Sequence, residues 1–230
     1  MINYKVNSNY YPVEYFKYKK MKVGLKFYSS KDYFIKEYDF TKSPRDVRAF
    51  PQKIINFYEN YYKSGEYKAA ELVDYEIGKF VGKMVYKKIN SENLEDFIIK
   101  NKITNSQGQQ ILKGILDTLL PYENNKITNG DTKLHNMIYD GKDVYMIDFD
   151  QFGKKNENLV RFIGSVIYNF KHAYDAKQVI SPRFLKPLPQ DINEYHSCCK
   201  NIAQKILKEE VHSIKDIIDL TGSIEAPDEA

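Results

Sequence analysis

A carboxylate, an amine, an amide and a further carboxylate follow one another within residues 129–150. Asn129-Gly130-Asp131-Thr132-Lys133-Leu134-His135-Asn136 supplies the first three, and Ile147-Asp148-Phe149-Asp150 supplies the last. Lys133 stands two residues after Asp131, Asn136 five after it and Asp148 seventeen after it. Phosphoryl transfer uses such a set. One carboxylate, Asp131, orients an acceptor hydroxyl and takes its proton. An amide oxygen and a second carboxylate, Asn136 and Asp148, hold Mg²⁺ on nucleotide phosphates, and Lys133 spreads the charge that develops. Asp150 is a further metal-side or phosphate-side carboxylate, or the cap of a following helix. Asn and Asp are also ordinary turn residues. Their joint order, not any one of them, carries the chemistry.

Residues seventeen positions apart meet only if the chain between them doubles back. Met137-Ile138-Tyr139 and Val144-Tyr145-Met146-Ile147 flank Gly141-Lys142-Asp143, a strand–turn–strand pattern that does this. Upstream, the first forty residues read as β, with strands at Val23–Tyr28 and Tyr33–Tyr38 around a Ser29–Asp32 turn. Ser43-Pro44-Arg45-Asp46 starts a helix over 46–63 that Lys63-Ser64-Gly65 closes. Two β-like runs follow, 70–75 and 83–89. A short helix begins at Ser91. A longer one is capped by Asn105 or Ser106, carries Ile111, Leu112, Ile115, Leu116, Leu119 and Leu120 on one face, and has Pro121 near its end. Residues from Leu159 read as mainly helical. The pattern predicts an α+β fold with two unequal lobes: a β-rich N-lobe over 1–89, a mostly helical C-lobe over 90–220, and a frayed acidic tail over 221–230.

With these motifs placed, the sequence resembles the protein-kinase-like superfamily over residues 20–170. Asp131, Lys133 and Asn136 match the catalytic-loop pattern Asp-x-x-x-x-Asn with its lysine, and Ile147-Asp148-Phe149-Asp150 matches the metal motif in its small-molecule-kinase form. Gly130-Asp131-Thr132-Lys133 with Ile-Asp-Phe-Asp looks like the aminoglycoside, choline and sugar kinases. Asn158-Leu159-Val160-Arg161-Phe162 is similar to the Asn-Leu-Ala-Arg-Leu that follows this motif in lipopolysaccharide Kdo kinases. The resemblance implies a bilobal kinase-like fold, with ATP and Mg²⁺ bound between the lobes. Tyr33-Phe34-Ile35-Lys36 reads like the strand that carries the phosphate-binding lysine. Glu59 is the glutamate of the next helix and the expected partner of Lys36, with Asp46 and Gln52 as competitors. Tyr86 to Ile89 fits the hinge beside the nucleotide base.

Departures from the pattern narrow the substrate. Gly24 stands alone where a glycine-rich loop is usual, and Asn129 replaces the usual histidine. Only eight residues separate Asp150 from the helix expected at Leu159, which leaves no room for an activation loop. The leading expectation is an ATP- and Mg²⁺-dependent phosphotransferase acting on a hydroxylated small molecule, a sugar or a glycolipid. The short C-lobe favours a rival, a minimal bacterial effector-type kinase with a protein substrate. Nucleotide transfer by the same fold is related to it. The weak glycine loop favours another rival, a catalytically inactive kinase-like binding module.

Composition excludes other classes. The 230 residues carry 35 Lys and Arg against 31 Asp and Glu, a formal charge of +4 spread along the chain, so no nucleic-acid partner is expected. No run reaches the ~18 apolar residues of a membrane span, and the first residues lack a secretory apolar core. Peripheral contact with a membrane is compatible with the charge. Cys198 and Cys199 are adjacent and form no disulfide framework. The expected location is the cytoplasm, including the inner membrane face, or export by a signal-less route if the protein is an effector. The histidines at 135, 172, 196 and 212 have no metal-ligand spacing. His135 reads as a packing or hydrogen-bonding residue beside Asn136, and Arg161 as the partner of an acidic neighbour.

Overall fold

A computed structural model describes residues 1–16, 24–42, 49–101, 103–125, 127, 132–150, 152–153, 204–205, 208 and 210. Apart from residues 204–205, 208 and 210, the expected helical region from Leu159 lies outside the described residues, as does the tail over 221–230. The chain divides into two compact units. The first holds Met1–Asn90 together with Phe149–Phe152; the second holds Ser91–Asp148 and continues from Gly153.

The first unit is built on a six-stranded antiparallel sheet. Its strands are β1 (Ile2–Val6), β2 (Asn9–Phe16), β3 (Leu25–Ser29), β4 (Tyr33–Asp39), β5 (Leu72–Ile77) and β6 (Val81–Lys87), in the spatial order β1-β2-β3-β4-β6-β5. Helix α1 (Ala49–Asn60) lies between β4 and β5 in the chain. It ends three residues before the sequence predicts. Residues 43–48 lie outside the described residues, and a 3₁₀ turn at Tyr62–Ser64 ends on Gly65 at φ +79°. The glycine supplies the left-handed stop that L side chains avoid.

The sheet curls until its two edges meet through side chains. Asn7, in the β1–β2 turn, donates its side-chain amide to Asp74 and to the Tyr75 carbonyl, both at 2.8 Å. Asn9 and Tyr11 also donate to Asp74, at 2.9 and 3.0 Å. Burial alone would raise the Asp74 carboxyl, but these donors outweigh it and hold it below the usual range. Tyr11 is pushed up to about 12, by burial and by the carboxylate it serves. Glu76 is held low by the Asn7 backbone N–H and by Lys83. Edge strands that end in such polar clasps are poor templates for further strand pairing.

Strand β4 is central and buried on both faces. Ile35 packs with Val6, Tyr11, Val13, Tyr28 and Val85 in one core. On that same face the buried Glu37 accepts from Lys26 at 2.7 Å and from Tyr28 and Tyr4. Neighbours in a strand point to opposite faces. Lys36 and Tyr38 therefore share the other face, and both are buried. Helix α1 presses closely on β6: a Cβ on Gly82 would lie 2.8 Å from the Phe40 ring and 3.1 Å from Pro51.

The second unit contains α2 (Leu94–Lys100), α3 (Asn105–Asn124) and a hairpin of β7 (Met137–Tyr139) and β8 (Val144–Met146). Asn93 caps α2, its side-chain oxygen accepting from the Asp96 N–H at 2.9 Å. Helix α3 opens with a reciprocal capping box at Thr104, one residue before Asn105, the first of the two expected caps. The Thr104 hydroxyl accepts from the Gln107 N–H, and the Gln107 side chain accepts from the Thr104 N–H. Of the face predicted from sequence, Ile111, Leu112, Ile115, Leu116 and Leu119 are fully buried and Leu120 is half-buried. Pro121 lies inside the helix, which runs three residues beyond it. Among the described residues no helix is long and apolar enough to cross a membrane.

Candidate active site

Lys36 and Asp150 form one constellation in the first unit, and Lys133, Asn136 and Asp148 a second in the other. The first is centred on Lys36. Its ammonium donates to Asp150 Oδ2 at 2.6 Å, and the Tyr38 hydroxyl donates to Asp150 Oδ1 at 2.7 Å. The ammonium also lies 5.3 Å from the centre of the Tyr38 ring. Lys36 is 8% exposed and Asp150 4%, so bulk water screens the pair little. Both carboxylate oxygens are engaged by donors on one face of β4.

Aromatic packing sets the position of Asp150. Phe149 stacks on Phe57 of α1 with ring centres 4.2 Å apart and planes 14° from parallel. It meets Tyr58 edge-on at 5.8 Å. Phe152 packs against Phe57 and Tyr61, and its N–H donates to the Phe149 carbonyl at 2.9 Å. The residues around Asp150 are thus clamped on both sides. Tyr58, whose hydroxyl bonds the Ala70 carbonyl, is pushed well above the usual phenol range by its burial.

Glu59 is a correction to the sequence reading. It was expected to hold Lys36. Its carboxylate is exposed and accepts instead from the Tyr75 hydroxyl at 2.9 Å. The buried residues of α1 are Pro51, Ile54, Ile55, Phe57 and Tyr58, none of them acidic. The helix turns Glu59 outward while its aromatic neighbours face in. Of the other expected partners, Gln52 is exposed on α1 and Asp46 lies outside the described residues.

The second constellation is the open end of the β7–β8 hairpin. Asn136 ends a 3₁₀ turn, Leu134–Asn136, and leads into β7. Its carbonyl accepts from the Ile147 N–H at 3.0 Å, which extends the ladder past the Met137–Met146 pair. Asn136 and Asp148 are therefore brought to the same end of the hairpin. Asn136 is buried and Asp148 half-buried. Helix α3 fixes β8 at close range. A Cβ on Gly114 would lie 3.1 Å from Val144, and the Thr118 hydroxyl donates to the Val144 carbonyl at 2.7 Å. Helix α2 fixes the 3₁₀ turn, with His135 Nδ1 3.5 Å from the Glu95 carboxylate. Lys133 is half-buried, and its carbonyl accepts from the Asn136 N–H at 2.9 Å. Asp131 lies outside the described residues.

Asn136 and Asp148 are both hard oxygen donors. Mg²⁺ takes one or two protein oxygens and completes its shell with water and phosphate. The pair fits that ion by donor type. Of the two hinge candidates, Tyr86 is buried with its ring 6.3 Å from Tyr58, and Ile89 is half-exposed beyond the end of β6.

Tyr38 was not among the residues singled out from sequence. Its signal was available: it stands two positions after Lys36 in a strand, hence on the same face. The role of Phe149 as an anchor had no such signal, because Phe57 lies 92 residues away.

No family model matches the sequence, and no curated protein matches it. Solved structures do match the fold. The chain is similar to the crystal structure of WbdD, with a TM-score of 0.57 and 14% identity over 95% of this chain and 52% of that one. A second WbdD structure, described as a bifunctional kinase-methyltransferase, matches with a TM-score of 0.52 and 14% identity over 87% of this chain and 47% of that one. The chain spans about half the length of these matches. The fold is α+β and kinase-like, with a curled antiparallel sheet in its first unit.

Proposed function

We propose that the protein is a phosphotransferase that moves the γ-phosphate of Mg·ATP to a hydroxyl group. The observation that carries this reading is Lys36: a buried ammonium on the central strand of a kinase-like sheet, held by the second carboxylate of Ile147-Asp148-Phe149-Asp150. An ammonium buried this deeply is costly unless it is paired, as Lys36 is with Asp150. A lysine held in that way is set to bind the nucleotide phosphates. Asn136 and Asp148 hold the magnesium ion, which when bound neutralises the phosphate oxygens. Asp131 orients the acceptor hydroxyl and takes its proton. Lys133 stabilises the charge on the transferring group. Tyr86 to Ile89 lies along the nucleotide base.

The acceptor is a sugar or a glycolipid headgroup. Support comes from Asp131-Thr132-Lys133 with Ile-Asp-Phe-Asp and from the short interval after Asp150, as in small-molecule kinases. The kinase-methyltransferase description of a structural neighbour agrees with kinase chemistry. A lysate split into protein, lipid and small-molecule fractions tests the acceptor. Wild type should carry γ-label from Mg·ATP into the lipid or small-molecule fraction, and Asp131→Ala and Asp148→Ala should not. Label in the protein fraction alone would replace the acceptor with a protein.

A further inference from the structure

We propose that Asp150 is a positioning residue for Lys36, taking the place that a carboxylate on α1 was expected to fill, rather than a magnesium ligand. The inference rests on Lys36 serving Mg·ATP, as proposed above. Three observations carry it. Asp150 already uses both oxygens on donors from one face of β4, Lys36 at 2.6 Å and Tyr38 at 2.7 Å. A metal on this carboxylate would compete with an ammonium in direct contact. Second, the acid beside Lys36 in β4 and the acid of α1 are both engaged elsewhere. Glu37 adjoins Lys36 in sequence but faces the opposite side of β4, where Lys26, Tyr4 and Tyr28 engage it. Glu59 is the one acid of α1, and it serves Tyr75. Third, Asp150 is held rigidly enough to position another group. Phe149 and Phe152 flank it and pack on Phe57, which is fully buried.

Helix α1 then acts on the lysine indirectly. It supplies an aromatic shelf instead of a charge. The shelf fixes Phe149, Phe149 fixes Asp150, and Asp150 with Tyr38 fixes the ammonium. Displacing α1 displaces the phosphate-binding lysine by way of ring packing, not by rupture of an ion pair on the helix.

The test is calorimetric titration of the full chain with Mg·ATP at several Mg²⁺ concentrations, with thermal unfolding recorded for each variant. Asp150→Asn should weaken binding about ten-fold, the scale of one charge-assisted contact. Lys36→Met should weaken it as much or more, and the double variant should be no weaker than Lys36→Met alone. The Mg²⁺ dependence should be the same in wild type and Asp150→Asn. Tyr38→Phe gives a second cycle with Lys36→Met if Asp150→Asn does not fold, and it too should be non-additive. Additive losses, or a loss that excess Mg²⁺ restores, on a wild type that binds Mg·ATP would overturn the assignment alone. A wild type that binds no Mg·ATP would overturn the phosphotransferase reading and this assignment together.

Discussion

Lys36 and Asp150 stand 114 residues apart in the chain and meet at 2.6 Å inside the first unit. The contact makes the short segment Phe149–Phe152 part of the sheet unit, although the residues just before it belong to the other unit. A strand lysine, a strand tyrosine and a motif aspartate form one buried polar group, walled by Phe57 and Phe149.

Such a pair is costly to break by halves. Asp150→Asn takes the carboxylate charge away from a buried ammonium and should lower stability by about 3–5 kcal/mol. Tyr38→Phe removes one bond to the carboxylate and should cost about 1.5–3 kcal/mol. Denaturant unfolding measures both. Replacing the two charges together, as Lys36→Met with Asp150→Leu, should recover most of the first loss.

The aromatic shelf predicts a separate effect. Phe149→Leu keeps bulk but removes the stack on Phe57, at about 0.5–1.5 kcal/mol beyond the change in buried area. Because Phe149 holds Asp150, Mg·ATP affinity should fall with it. Phe57→Ala should cost about 3–5 kcal/mol. The same unfolding and titration measurements decide both.

Glu59 separates the structural reading from the sequence expectation. It is exposed and bonded to Tyr75. Glu59→Gln should change Mg·ATP affinity less than about two-fold and stability by about 0.5 kcal/mol or less. A ten-fold loss of affinity, the size of a lost charged contact, would restore it as the lysine's partner.

The clasp between the sheet edges should show in the pH dependence of unfolding. Asp74 and Glu76 have folded-state carboxyls below their ordinary values. A lowered folded pKa stabilises the fold above the unfolded value, and the contribution is lost as pH falls through the folded value. Stability should therefore decline below about pH 4 more steeply in wild type than in Asp74→Asn. Urea midpoints between pH 5 and pH 2.5, roughly the range that brackets both carboxyls, measure the difference.

The second unit offers a test of what holds the hairpin. Thr118→Val removes the donor to the Val144 carbonyl and leaves that buried group short of a partner, at about 1–3 kcal/mol. Amide hydrogen exchange in β7 and β8 should accelerate in parallel.

Much of this was legible in the sequence because it is local. Alternation gave β4, helical spacing gave the buried face of α3, and Gly141 between two short strands gave the β7–β8 hairpin. The hairpin in turn places Asn136 and Asp148 at one end, as the spacing of the motif requires. What the sequence hid is long-range. The sequence points to the next helix for the partner of Lys36, yet helix phase turns Glu59 to solvent and gives the inward positions to Phe57 and Tyr58. No periodicity encodes the stack of Phe57 on Phe149. The clasp of Asn7, Asn9 and Tyr11 on Asp74 depends on sheet curl, which accumulates over six strands and has no signature within any one of them.

The most direct test of the phosphotransferase account compares ATP labelled at the γ-phosphate with ATP labelled at the α-phosphate, in Mg²⁺ and cell lysate. The account predicts that γ-label alone is transferred, and that Lys36→Met and Asp148→Ala abolish transfer while remaining folded. Transfer of α-label would make the reaction a nucleotidyl transfer, and no transfer of either label, with no Mg·ATP binding, would contradict the catalytic account altogether.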